Sequence, residues 1–110
     1  MPSAVRRLTP VLVVDAIESV LPFWRDRLGF AVTAEVPHGD ALGFVILQRD
    51  GVELMYQTRA SIEADTPGTL PAGPIEADGT ALFLEVADLE GVVAAVAGLD
   101  LVVPRRKTFY

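Results

Sequence analysis

Two carboxylates are placed to do chemistry. Glu53 lies in the run Val52-Glu-Leu-Met55, and Glu85 lies in Phe83-Leu-Glu-Val86. A carboxylic acid on a mostly apolar wall can serve as a general base or accept a hydrogen bond from a bound molecule. Two such acids on one face can divide acid and base duties, although the sequence fixes no separation between them. The competing reading of Glu53 is an acid that pairs with Gln48 across a hairpin and points into water. The only histidine, His38, stands between Pro37 and Gly39. It reads as a solvent-facing loop residue, and a ligand-contacting or proton-shuttling role for it rests on imidazole chemistry in general. The chain has no cysteine. That removes a thiol nucleophile, a disulfide framework and any thiolate metal site.

These groups need elements to hold them. Residues 8–14 read as a strand that is apolar, and so buried, on both faces. Asp15 or Ser19 is the expected cap of the following helix, and Asp15-Ala-Ile-Glu18 has capping-box spacing. Pro22 favours a start near Ser19, because only a first turn tolerates its missing N–H. Val20, Trp24 and Leu28 then share a core-facing side, Phe23 also reads as core, and Gly29 supplies a left-handed stop. Residues 30–35 form the next strand and residues 37–40 a loop. Residues 41–49 and 52–58 flank Asp50-Gly51 as a tight hairpin. A two-residue turn sets Arg49 opposite Val52, Gln48 opposite Glu53, Ile46 opposite Met55 and Phe44 opposite Gln57.

Residues 59–79 contain Pro67, Pro71 and Pro74 and read as a long connection. Residues 80–86 form the next expected strand. Asp88 caps a helix over residues 89–97, Gly98 ends it, residues 99–103 form a strand, and another begins at Arg105. The second stretch is a loose copy of the first. A constant offset of 72 positions, as between Ile17 and Leu89, also pairs Leu12 with Leu84, Val14 with Val86, Glu18 with Glu90 and Val20 with Val92. Such an internal repeat predicts two related strand-helix units.

Strand alternation sorts the side chains into two faces. Leu12, Val14, Leu54, Tyr56, Leu82, Leu84 and Val86 share an aliphatic face suited to packing under helices. The opposite face carries Thr9, Val11, Val13, Phe44, Ile46, Gln48, Glu53, Met55, Gln57, Ala81, Phe83 and Glu85. Apolar walls with a few polar groups suit a small-molecule pocket. For Met55 and Phe83, burial at a subunit interface or module seam is an equal alternative.

A chain of 110 residues, 51% hydrophobic, makes one globular domain. Its net charge of −6 argues against nucleic acid as a partner. The cluster Arg105-Arg106-Lys107 reads as a solvated strand end, with attraction of an anionic ligand as the alternative. No apolar run is long enough for a membrane span and no signal-type segment follows the start, so a cytoplasmic protein is expected.

The order β-α-β-β-β, proline-rich connection, β-α-β resembles the vicinal oxygen chelate superfamily, which includes glyoxalase I, bleomycin-resistance proteins and extradiol dioxygenases. The resemblance is carried by Leu12-Val-Val-Asp15, Pro22-Phe-Trp-Arg-Asp-Arg-Leu-Gly-Phe30, Gly51-Val-Glu-Leu-Met55 and Phe83-Leu-Glu-Val86. It implies an α+β fold in which paired βαβββ modules form a curved mixed sheet. Residues 1–110 would be one glyoxalase-like domain, with a first module over 5–59, a linker over 60–79 and a second module over 80–110. That second module lacks its last strands, so either the natural chain is expected to continue past Tyr110 or a partner subunit covers the open edge.

Metal-using members hold a divalent ion through one residue near the start of each module's first strand and a carboxylate from each module's last strand. The resemblance carries these positions to Thr9, Ala81 and Glu53, with the fourth beyond Tyr110. One carboxylate among three positions is too few donors, so neither a metal nor another cofactor is expected. The resemblance also favours a pocket-facing Glu53, which is the best catalytic candidate if there is turnover. The implied function is a metal-free small-molecule binding protein, acting as a homodimer. Its ligand would meet Thr9, Val11, Phe44, Ile46, Gln48, Glu53, Met55, Phe83 and Glu85. A metal-dependent lyase or dioxygenase with substituted ligands is one alternative, and a non-catalytic assembly module is another.

Overall fold

The structure, a computed structural model, describes residues 3–74 and 80–107. Its centre is the hairpin of β3 (Ala41–Arg49) and β4 (Val52–Thr58). Asp50 and Gly51 both adopt positive φ, 52° and 78°. Two such residues give the turn whose twist matches that of the flanking strands. The register follows as expected, with Arg49 opposite Val52, Gln48 opposite Glu53, Ile46 opposite Met55 and Phe44 opposite Gln57. β1 (Val11–Val14) runs parallel to β4 and pairs Val11 with Met55 and Val14 with Thr58. β2 (Ala31–His38) lies antiparallel on β3. The mixed sheet has the order β1-β4-β3-β2, and with its helices it makes an α+β fold.

One sheet face is the core. Val45, Leu47, Leu54, Tyr56 and Thr58 are buried there, with Ile17, Leu21, Trp24, Leu28 and Phe30 packed over them. The covering segment is a 3-10 turn, Ile17–Ser19, followed by a π-helical turn, Pro22–Arg27, in place of one regular helix. Pro22 stands first in that turn, where its missing N–H leaves no bond unmade. The Leu28 N–H reaches back to the Phe23 carbonyl, and the Phe30 N–H closes on Trp24 O at 2.9 Å across Gly29, whose φ is 73°. Trp24 Nε1 donates to Tyr56 Oη at 2.9 Å, and the indole meets the Phe30 ring edge-on at 5.2 Å. The polar tips of both large side chains are thus satisfied inside an apolar core. Phe23, expected as core, is 38% exposed.

The expected capping box does not form. Neither Asp15 nor Ser19 caps a helix; the Ser19 hydroxyl donates to the Ala16 carbonyl at 2.7 Å. Splitting the helix leaves no single first turn in which the two side chains could answer one another. The Glu18 carboxylate instead accepts the Leu42 N–H at 2.9 Å and ties the turn to the start of β3.

Other expectations change at the edges. β1 starts at Val11 rather than residue 8, and Val11 is 49% exposed because β1 is an edge strand. Its later residues, Leu12, Val13 and Val14, are half-buried, short of the expected burial on both faces. β2 runs through Pro37 and His38, expected as loop, because a register shift between Val36 and Pro37 makes room for a residue that cannot donate to the ladder. The proline-rich connection opens with a helix, α1 (Arg59–Asp65). Thr58 Oγ1 caps it by accepting the Ser61 N–H at 3.1 Å. Arg59 then pins the following segment by donating to Pro71 O and Gly73 O.

The second half departs most. Residues 80–86 and 99–103 are not strands, and neither are residues 105–107; the remainder of that last expected strand lies outside the described residues. A strand exists only by pairing, and neither segment has a ladder partner among the described residues. Phe83 is accordingly 83% exposed, and Leu82, Leu84 and Val86 are each more than a third exposed rather than tucked under helices. The helix between them does form, as α2 (Leu89–Ala95), with Asp88 Oδ1 accepting the Gly91 N–H at 3.2 Å. Arg27 Nη1 donates to Ala95 O and Ala97 O at its other end, and Gly98 follows with φ 87°. A cation on the last carbonyls complements the helix dipole. Val92, Ala95 and Val96 pack against the core, so α2 is the part of the second half that docks on the first. Among the described residues, no helix is long and apolar enough to cross a membrane.

Candidate functional site

The face opposite the core carries Phe44, Ile46 and Gln48 from β3 and Glu53, Met55 and Gln57 from β4, all half-buried. Alternation along a tightly registered hairpin puts them there, as the sequence suggests. At one end of this face, the Glu53 side chain is 13% exposed. Thr9 Oγ1 donates to one carboxylate oxygen at 3.4 Å, and Arg7 Nη1 lies 3.5 Å from the other. Gln48 is opposite Glu53 in register, yet the acid bonds to Thr9 instead. Arg7 is 67% exposed, so its attraction is weakened by solvent. Val11 lies beside this end on β1, opposite Met55.

At the other end of the same sheet, a cleft of about 510 Å³ lies among Val36, Pro37, His38, Phe44, Gln57, Ser61, Ala64 and Asp65. Gln57 Nε2 donates to Ser61 Oγ at 3.1 Å. Gly43 makes this junction possible. A β carbon there would stand 2.6 Å from His38 Cβ and 3.2 Å from Ser61 Cβ. Sequence reading missed Ser61 and Asp65 because the prolines that follow disguise α1 as part of a connection. The available signal was Thr58, three residues before Ser61 and suited to cap a helix.

A larger cleft, about 840 Å³, runs between the outer edge of β1 and the segment from Leu70 to Pro74, with Thr80 and Leu82 on its far wall. Its lining is mainly aliphatic, with Tyr56, Arg59 and Thr80 as polar members. Burial pushes the Tyr56 phenol up from its ordinary range, while the bond from Trp24 opposes that shift. Phe83 and Glu85 stand on the irregular segment beyond this cleft, and both are exposed. The sheet therefore brings together Thr9, Val11, Phe44, Ile46, Gln48, Glu53 and Met55, and Phe83, Glu85 and Ala81 are not on it.

The resemblance to metal-using proteins can be weighed on the donors present. Thr9 and Glu53 do meet, but Ala81 offers no donor and Glu53 already faces a cation. Among the described residues, no group of three or more His, Cys, Asp or Glu could share an ion. The donor set among the described residues does not fit a divalent metal centre.

The chain is similar to the crystal structure of a glyoxalase/bleomycin resistance protein/dioxygenase from Nocardioides, with a TM-score of 0.64 and 21% identity. The likeness covers 94% of this chain and 69% of that one. The likeness shows a glyoxalase-like fold. No family model matches the sequence, and no curated protein does either. At this identity the likeness speaks for the glyoxalase-like fold, and chemistry has to be argued from the side chains.

Proposed function

We propose that this protein is a metal-free small-molecule binding protein that uses the concave face of its glyoxalase-like sheet. The observation that supports this most directly is the composition of that face. Phe44, Ile46 and Met55 form apolar walls, Gln48, Glu53 and Gln57 supply a few polar groups, and all six are half-buried. The engagement of Glu53 by Thr9 and Arg7 favours a role in orienting a ligand over one in holding an ion. A homodimer acting in the cytoplasm belongs to the same reading. Its support is the open edge of β1 together with Phe83 and Val102, which are 83% and 101% exposed. Pairing at such an edge and burial of such side chains would both be met by a second copy.

Melting curves test the reading. A ligand at a hundred times its Kd adds about 2.7 kcal/mol to a native state that alone binds it. In a domain of this size that raises Tm by roughly 10 °C. Zinc, nickel, manganese and ferrous iron, each with a chelator control, are expected to leave Tm unchanged, and members of a small-molecule collection are expected to raise it. A chelator-reversible rise with any of the metals would replace this reading with that of a metal-dependent lyase or dioxygenase. Indifference to every small molecule and every metal would leave an assembly module.

A further inference from the structure

We propose that the ligand's seat on the concave face is the cleft at the His38 end, and that it takes a small organic cation, a protonated amine joined to a flat apolar ring. This rests on the reading of the concave face as a small-molecule surface and adds the place and the chemical class. The two ends of that face differ in what they leave available. At the Thr9 end, the acid is already answered by a hydroxyl and a guanidinium. At the His38 end, Gln57 gives its N–H to Ser61 Oγ. That leaves the Gln57 carbonyl as an acceptor and the Ser61 hydroxyl proton as a donor. Asp65 is the one carboxylate on the lining, and among the described residues none that lines the cleft is lysine or arginine. An anion could take the Ser61 hydroxyl proton and face His38 but would be repelled by Asp65, whereas an ammonium gains a carboxylate and a carbonyl. Phe44 and Pro37 supply flat apolar walls, and an aromatic face attracts a cation in addition. The chain's net charge of −6 steers in the same direction.

The cleft is open, with Val36, Pro37, His38, Ala64 and Asp65 exposed, but its walls are held in place by local structure. The shift in register between Val36 and Pro37 turns the end of β2, a common way to re-aim a side chain. Gly43 lets His38 and Ser61 approach where any β carbon would strike one or both. The Thr58 cap fixes the first turn of α1, so the Ser61 wall is anchored to β4. These features join three separate elements around one opening.

The experiment is a ¹H–¹⁵N NMR titration of the full chain with benzylamine, benzyl alcohol and benzoate, which share a ring and differ in charge. Benzylamine is expected to give saturable shifts at His38, Gly43, Ser61 and Asp65, with benzyl alcohol weaker and benzoate weakest. Asp65→Asn should weaken benzylamine about twofold, the size of an exposed ion pair, and leave benzyl alcohol unchanged. Gly43→Ala should abolish binding of both. Should Gly43→Ala fail to fold, Ser61→Ala replaces it and should weaken both ligands. Benzoate binding as well as benzylamine, or Asp65→Asn without effect, would overturn the charge assignment. Saturable shifts confined to Thr9 and Glu53 would overturn the location while leaving a small-molecule surface in place. No saturable shift with any of the three probes also overturns the proposal. The broader reading fails separately, in the wider melting screen, by finding no small-molecule ligand or by a chelator-reversible rise with a metal.

Discussion

Replacing Tyr56 by phenylalanine should destabilise the fold far more than the loss of one oxygen suggests. The phenol oxygen accepts the buried Trp24 Nε1–H at 2.9 Å, and no other partner for that N–H appears among the described residues. Tyr56→Phe strands the donor in an apolar core, and a buried unpaired donor costs about 1–3 kcal/mol. At the middle of that range Tm should fall by roughly 10 °C, and the urea midpoint should fall by about 1 M at unchanged slope. Trp24→Phe removes the donor as well as packing volume, so on that background Tyr56→Phe should cost under about 0.5 kcal/mol. The coupling in the double-mutant cycle is then about 1–2 kcal/mol. Far-UV circular dichroism suits all four proteins, because the chain has a single tryptophan and one arm of the cycle deletes it. Burial raises the Tyr56 phenol. A raised folded-state value means the folded form holds the proton longer. That stability is therefore complete below the unfolded tyrosine value of about 10 and is lost as pH rises through the folded one. Tyr56→Phe should lack that alkaline loss. A coupling near zero, or an equal alkaline decline in the variant, would refute the argument.

Two further perturbations probe the contacts that position the sheet. The Leu42 N–H holds the Glu18 carboxyl below its ordinary range. The contact therefore stabilises the fold above the unfolded glutamate value, and its contribution is lost as pH falls through the folded value. Glu18→Gln should flatten the acid limb of a stability–pH curve, and a curve parallel to wild type would count against the bond. Asp88→Ala should cost about 1 kcal/mol by uncapping α2, and Arg27→Ala should loosen the other end. Hydrogen exchange in α2 should quicken in both variants while the β3 and β4 amides remain slow; uniform quickening would mean that the helix is not a separable unit.

The hairpin was readable because its register is set locally. Asp50-Gly51 supplies two residues that tolerate positive φ, and the alternation from Phe44 to Gln57 then assigns each side chain to a face. Thr9 beside Glu53 was reachable in the same way, since the parallel pairing of β1 with β4 extends toward both. The second half was not readable, because strand formation depends on a partner. Phe83-Leu-Glu-Val86 has the composition of a strand, yet it lies across a cleft from the β1 edge and pairs with nothing among the described residues. The split of the first helix was hidden for another reason. Val20, Trp24 and Leu28 fit an ordinary α-helical face, and the wider turn appears only where the Leu28 N–H skips to Phe23. Ser61 and Asp65 were lost behind prolines, although Thr58 announces a helix.

Trp24 sits on the core side of the sheet, on the far side from Phe44, Ile46, Gln48, Glu53, Met55 and Gln57. The molecule therefore carries a single tryptophan shielded from its proposed binding surface by a layer of backbone. A ligand in the cup cannot quench the indole by collision. Any change in emission on titration would have to be relayed through Tyr56 and its strand, so this signal would report a response of the scaffold and not mere occupancy.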